Sequence, residues 1–214
     1  MANGDTVQSY GGVRLPSPLS GQAQVQLNQL GEQLVTGGLP PYTEQVRKGN
    51  AWGTMSTSAI AGLVVRPTTT AALELWNGYA TGGRSLIIDR LFYFNLVSTN
   101  VVEGFSGWAM VTKSKSAPSS ASLTVNSLQG NKTYAGPVVN AVGTTVVDNG
   151  WFPWTNAYQK GAGGVVPFGA VIGPVEGRLI VPPQCSLCLH VVSSLVGQTF
   201  TQGAFWYEEQ ISLE

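Results

Sequence analysis

The chain has 214 residues and a formal net charge of zero, and only 10% of its residues are charged, against about 25% in an ordinary soluble protein. Without a long-range positive field it has little to offer phosphate, whose neutralisation dominates nucleic-acid affinity, so nucleic acid and anionic membrane are both excluded as expected partners. Its 43% hydrophobic content, including six Trp, seven Tyr and seven Phe, excludes a disordered polymer.

Residues 1–41 differ from the rest. Asp5, Arg14 and Glu32 are their only charges, and Gly, Gln, Ser and Pro dominate. Met1 to Ser20 hold no apolar stretch of signal-peptide length, which places the protein in the cytoplasm where it is made or in a particle assembled there. Gln24 to Leu27 alternate like a strand, while Leu27, Leu30 and Leu34 also fit a helical stripe. Gly31 opposes a helix, and Gly37-Gly38 with Pro40-Pro41 end the segment. The reading is an extended arm that gains order against a neighbour, with Val25, Leu27, Leu30 and Leu34 as docking side chains.

From residue 42 to residue 214 the pattern is strand, turn, strand. Strands are expected at Tyr42–Arg47, Asn50–Thr54, Gly62–Arg66, Ala72–Trp76, Ser85–Leu96 and Phe105–Val111. Further ones are expected at Ser122–Leu128, Val138–Val142, Arg178–Val181, Ser186–Val192 and Gly203–Glu208. These runs are rich in Val, Ile, Thr and aromatics and are bounded by Gly, Pro, Asn or Ser. No window after Pro41 shows a convincing helical period. The fold class is therefore all-β, a jelly-roll-like antiparallel β-sandwich with an extended N-terminal arm.

A long connection is expected from about Val142 to Arg178. It holds Trp151-Phe152-Pro153-Trp154 and the glycine-rich Gly161 to Gly164. Two Trp and a Phe in four residues are too apolar for an idle loop. They serve either as a lid on the core or, with Trp108, as interface anchors, since Trp is enriched at binding hot spots. A sugar-stacking platform of Trp151 and Trp154 beside Asn149 and Asn156 is a third reading. The longest apolar run, near Val165 to Val175, is broken by Pro167 and Pro174 and is too short to span a bilayer.

Candidates for chemistry fail one at a time. His190 is the only histidine, and it shares a strand face with Cys188 without an evident third group to orient it. Cys185 and Cys188 have C-x-x-C spacing, but Pro182-Pro183 precede them and a strand follows, whereas reactive pairs of this kind open helices. Structural zinc takes four ligands, and the chain has three Cys and His in all. Glu208 and Glu209 are adjacent, so they point to opposite strand faces and cannot flank one glycosidic bond; they read as a solvated chain end. Asp89 and Arg90 read as making separate contacts. Gly161 to Gly164 lacks the Lys-Ser/Thr of a phosphate loop. The expectation is a protein with no catalytic residues, no metal and no cofactor.

The order of features is then informative. Tyr42-Thr43-Glu44-Gln45-Val46-Arg47-Lys48-Gly49-Asn50 leads into a strand, followed by Thr68-Thr69-Thr70 and Leu73-Glu74-Leu75-Trp76-Asn77. After Gly82-Gly83 comes the apolar strand Ser85–Leu96, and later Val181-Pro182-Pro183, the strand around His190 and Phe205-Trp206-Tyr207-Glu208. This order, over residues 42–110 and 178–209, resembles the capsid-associated structural proteins of tailed bacteriophages. The resemblance implies a jelly-roll body and a decoration (cement) role on a capsid shell, with the major capsid protein as partner and the virion as location. The low charge independently fits self-association, and a homotrimer matches the local three-fold positions of an icosahedral shell. Another virion part (head fibre, tail or receptor-binding protein) and a carbohydrate-binding jelly-roll module are the alternatives.

Overall fold

The computed structural model describes residues 13–14, 26–27, 41–98, 104–113, 117–118, 123–158 and 170–211. The chain divides into two units, Met1–Pro41 and Tyr42–Glu214. In the first, β1 (Val13–Arg14) pairs antiparallel with β2 (Gln26–Leu27), setting Val13 opposite Leu27. Val25, Leu30 and Leu34 lie outside the described residues, as does the Gly161 to Gly164 stretch.

The second unit opens with a helix, α1 (Pro41–Lys48), where a strand was expected over Tyr42–Arg47. Local chemistry explains the correction. Pro41 takes the first helical position, where its missing N–H costs nothing. Glu44 lies in the first turn and Arg47 and Lys48 in the last, each complementing the helix dipole. Gly49, at φ +69°, ends the helix in the left-handed conformation. The last carbonyls are capped from a distance: Lys132 Nζ donates to Lys48 O and Gly49 O, and Gln129 Nε2 donates to Arg47 O.

The remaining elements are strands: β3 (Ala51–Met55), β4 (Ile60–Ala61), β5 (Thr70–Trp76), β6 (Ser85–Ser98), β7 (Gly104–Lys113) and β8 (Asn126–Ser127). Then follow β9 (Val139–Thr145), β10 (Phe152–Tyr158), β11 (Ala170–Val181), β12 (Cys185–Ser193) and β13 (Gln198–Glu209). One sheet has the order β10-β7-β12-β5-β9. The other has the order β11-β6-β13-β3-β8, with β4 pairing β13 further along the lane of β3. All of these pairings are antiparallel.

Setting β8 and β9 aside leaves eight lanes. In chain order, β3/β4, β6, β11 and β13 fall in the second sheet, and β5, β7, β10 and β12 in the first. This is the jelly-roll arrangement of two Greek keys. β8 and β9 arise from an insertion between β7 and β10, and each widens one sheet by an edge strand.

Several expected strands shift. Gly62–Arg66 is not a strand. The chain crosses between the sheets there, through Leu63 N to Val191 O and Ser193 N to Leu63 O. Of the strand expected over Ser122–Leu128, Ser122 lies outside the described residues, and β8 (Asn126–Ser127) is the strand found in the rest. The connection expected from Val142 to Arg178 instead contains β10 and the first half of β11. Both are edge strands, and an edge tolerates Pro153 in β10 and, in β11, Pro174, which was expected as a break.

The two sheets face each other through Leu73, Leu75, Leu187, Leu189 and Val191 on one side and Leu86, Ile88, Leu91, Tyr93, Phe200 and Trp206 on the other. Gly107 is required here, because a Cβ at that position would collide with the Tyr93 ring. That ring ends in a hydroxyl donating to Trp108 O at 3.1 Å, so the large side chain is seated across the core.

One end of the sandwich is closed by a buried carboxylate. Glu208 is 4% exposed, which corrects its expected place at a solvated chain end. Tyr79 donates to its Oε2 at 2.7 Å and Tyr134 to its Oε1 at 2.8 Å. Tyr134 also packs edge-on against Trp52. Burial, then the hydrogen bond and charge of Glu208, push the Tyr79 phenol up to about 12. Burial and the same carboxylate raise Tyr134 as well. A phenol raised above its unfolded pKa of about 10 keeps a proton that the unfolded chain releases, so its stabilisation is complete below pH ~10 and is lost as pH rises through the folded value. We therefore expect the denaturant midpoint to fall from about pH 10 to about pH 12. The Tyr79→Phe/Tyr134→Phe variant should be less stable at neutral pH and show a shallower alkaline fall. An equally steep fall in the variant would count against the latch.

Candidate interaction surface

Each sheet has an outer face, and the chain treats the two differently. The first is covered by the chain itself. β9 lies on one edge of its sheet and β10 on the other, so the connection from Val146 to Trp151 crosses the outside of β5, β12 and β7. We call this connection the strap. It is fastened along its length: Val146 N donates to Thr69 O at 2.8 Å, Thr112 Oγ1 to Val147 O at 3.2 Å, and Trp151 Nε1 to Thr68 O at 2.8 Å. Arg66 grips Asp148 through two bonds, at 2.8 and 3.1 Å. The guanidinium, helped by the Gly150 N–H, holds the Asp148 carboxyl below its ordinary range.

Beneath the strap, Trp151 packs with Ala71, Met110, Val146 and Cys188, and Trp108 adjoins this cluster. Buried polar groups share the face. Ser186 donates to Glu74 at 2.7 Å, and Cys188 pairs directly opposite Glu74. Burial, then the Glu74 charge, drive the Cys188 thiol well above its usual value. Cys185, three residues earlier in the strand, packs against the inner core, so the two free sulfurs lie on opposite faces. His190 is buried and its pKa is lowered by burial; its Nδ1 lies 2.9 Å from Val191 N and 3.1 Å from Val191 O. Among the described residues, no three His, Cys, Asp or Glu side chains group as metal ligands, and no helix is long and apolar enough to cross a membrane.

The side chains expected as interface anchors therefore separate. Trp151 is 3% exposed, held by the strap against its own chain. Trp154 is half-buried against the main core, and Trp108 donates from Nε1 to Ser106 Oγ. Phe152 alone of the four stands out, 64% exposed. Trp151 and Trp154 thus form no open stacking platform. Leu27 is in β2.

The outer face of the second sheet is built from rows that cross four strands. One row reads Ile172, Phe92, Gly203, Met55; the next reads Pro174, Arg90, Phe205, Gly53; a third reads Ile180, Ile87, Tyr207, Ala51. A solvated sheet face is expected to be polar at such positions. Here only Arg90 carries a charge, and it pairs with Asp89 at 3.4 Å rather than making a separate contact. That pairing follows from a bulge: β13 pairs Phe205 with Arg90 and Trp206 with Ile88, so Asp89 is an extra residue. Two rings lie down on glycines, Phe92 over Gly203 and Phe205 over Gly53, and they meet with centroids 5.0 Å apart. From α1, Tyr42 packs edge-on against Tyr207. Ile172 is 63% and Met55 49% exposed at opposite sides of this face.

No protein-family model, curated protein or solved structure matches the chain.

Thiol chemistry reads the strap directly. In the folded protein Cys185, which is partly exposed, should react first with an aromatic disulfide reagent, and Cys188 should be protected. Trp151→Ala should cost about 3–5 kcal/mol and bring Cys188 into reach. If Cys188 reacts as fast as Cys185 in the parent protein, the strap does not seal this face.

Proposed function

We propose that this chain is a virion structural protein, a decoration protein that binds a capsid shell and stabilises it, and that it works as a homotrimer on the capsid surface. The observation that carries this reading is the apolar outer face of the second sheet, on a jelly-roll body whose chain has no net charge. A chain built this way acts by being covered. Its expected partners are other copies of itself and the major capsid protein, and no reaction is assigned to it.

The resemblance over residues 42–110 and 178–209 supports the capsid part of the reading, and the jelly-roll strand order supports an architecture suited to it. A carbohydrate-binding role has less support, because its proposed Trp151 and Trp154 platform is turned inward.

In this reading residues 1–41 supply the fastening. They are nearly uncharged yet carry Val25, Leu27, Leu30, Leu34 and Leu39. Such a segment can add backbone hydrogen bonds to a neighbour's sheet edge without needing charge. Deleting residues 1–36 should leave a β-rich body by circular dichroism that no longer co-sediments with capsids. Unchanged capsid affinity and unchanged capsid heat resistance after the deletion would refute the fastening role.

A further inference from the structure

An asparagine followed by glycine is prone to spontaneous ring closure, because the next backbone nitrogen can reach the side-chain carbonyl carbon and glycine sets no Cβ in its path. The chain has three such pairs, Asn3-Gly4, Asn77-Gly78 and Asn149-Gly150, and the first lies outside the described residues. We propose that Asn149 is a modification site: the Gly150 nitrogen closes on its carboxamide, and the product loosens the strap.

The two described pairs stand in opposite surroundings. Asn77 is fully buried, and its carboxamide is locked at both ends. Its Nδ2 donates to Arg84 O and Val181 O at 2.9 Å each, and its Oδ1 accepts from Tyr79 N at 3.1 Å. Gly78 is pressed against Pro137 O. Asn149 is exposed, and among the described residues nothing bonds its carboxamide. Gly150, at φ +107°, has only the Phe152 ring near, 3.6 Å from where a Cβ would stand. Of these two pairs, only at Asn149 can the carboxamide turn and the nitrogen be reached.

One contact restrains the reaction. Gly150 N–H donates to Asp148 Oδ1 at 2.9 Å, and Arg66 holds that carboxylate with bonds of 2.8 and 3.1 Å. The nitrogen attacks only after losing this proton, and an anion forming beside a fixed carboxylate is disfavoured. The Arg66–Asp148 clasp therefore sets the pace. The Gly150 nitrogen gives its proton to solvent and bonds to Asn149 Cγ, the Cγ–Nδ2 bond breaks, and ammonia leaves. Water then opens the imide at either carbonyl, giving aspartate or isoaspartate, with no oxidant or reductant involved. Isoaspartate lengthens the backbone by one carbon, about 1.5 Å. The added length falls between two pinned points, Asn149 N at 3.1 Å from Met110 Sδ and Trp151 Nε1 at 2.8 Å from Thr68 O. Either product also sets a second carboxylate beside Asp148. The strap cannot keep every fastening.

The test ages the full chain in mildly alkaline buffer and follows it by peptide mapping with mass spectrometry and an isoaspartate assay. We expect the mass gain of carboxamide to acid on the peptide holding Asn149, with Asn77 unchanged until the chain is unfolded in denaturant. Arg66→Ala and Asp148→Ala alter exposed residues and should each speed the conversion about threefold, the scale of one exposed ion pair. Circular dichroism checks that both stay folded. In the converted fraction Cys188 should become reactive towards an aromatic disulfide, while Asn149→Gln aged alongside keeps it protected. An Asn149 that converts only in the unfolded chain would overturn the proposal, as would an Asn77 that converts equally fast in the folded one. Unchanged rates in both clasp variants would overturn the role given to Arg66 and Asp148. A converted strap that still protects Cys188 would overturn the loosening.

Discussion

An antiparallel sheet that is apolar on both faces has to be covered twice, and this requirement governs the molecule. The inner faces of the two sheets cover each other through the core. Outside the first sheet lie Met110, Cys188 and Ala71 with the buried polar groups of Glu74, Ser186 and His190. The apolar groups cannot be left to water cheaply, and the polar ones cannot be buried without partners. The strap resolves this by laying Trp151 over the apolar part, while Ser186 supplies Glu74 with a donor and His190 Nδ1 bonds the Val191 backbone. Outside the second sheet, among the described residues, α1 lies against the Tyr207 corner.

The insertion between β7 and β10 does most of the work that a plain eight-strand jelly roll would leave undone. It contributes β8 and β9, which widen both sheets. It carries Gln129 and Lys132, which cap α1 across more than eighty residues of sequence. Its Tyr134 completes the buried Glu208 latch, and its last residues form the strap. These contacts all have large sequence separation, so the insertion cannot be stable before the sandwich forms. The body and the insertion are thus expected to unfold together.

How much was legible in the sequence follows from this division. The long central strands were readable because each is a run of β-branched and aromatic residues between clear turn residues, and β6, β7, β12 and β13 fall where the pattern placed them. The helix was missed because eight residues give barely two turns, too short for an apolar period. Its signature lay in capping chemistry instead: Pro41 at the start, Glu44 early, Arg47 and Lys48 late, Gly49 at the end. β10 was missed because Pro153 reads as a break unless the strand is known to be an edge. Glu208 read as solvated because its partners, Tyr79 and Tyr134, are 129 and 74 residues away. The apolar plate did leave a local trace. In β6, Phe92 alternates with Leu91 and Tyr93, so the strand is apolar on both sides, the mark of a strand covered on both faces.

The same chemistry shapes the outer face of the second sheet. Its three central rows hold one charge, Arg90, paired with Asp89, while Arg178 and Glu209 stand further along β11 and β13. The flat centre depends on Gly53 and Gly203, because any side chain there would lift Phe205 or Phe92 off the sheet and turn a flat plate into a ridge. The two glycines therefore set the relief of this face as much as the rings above them do.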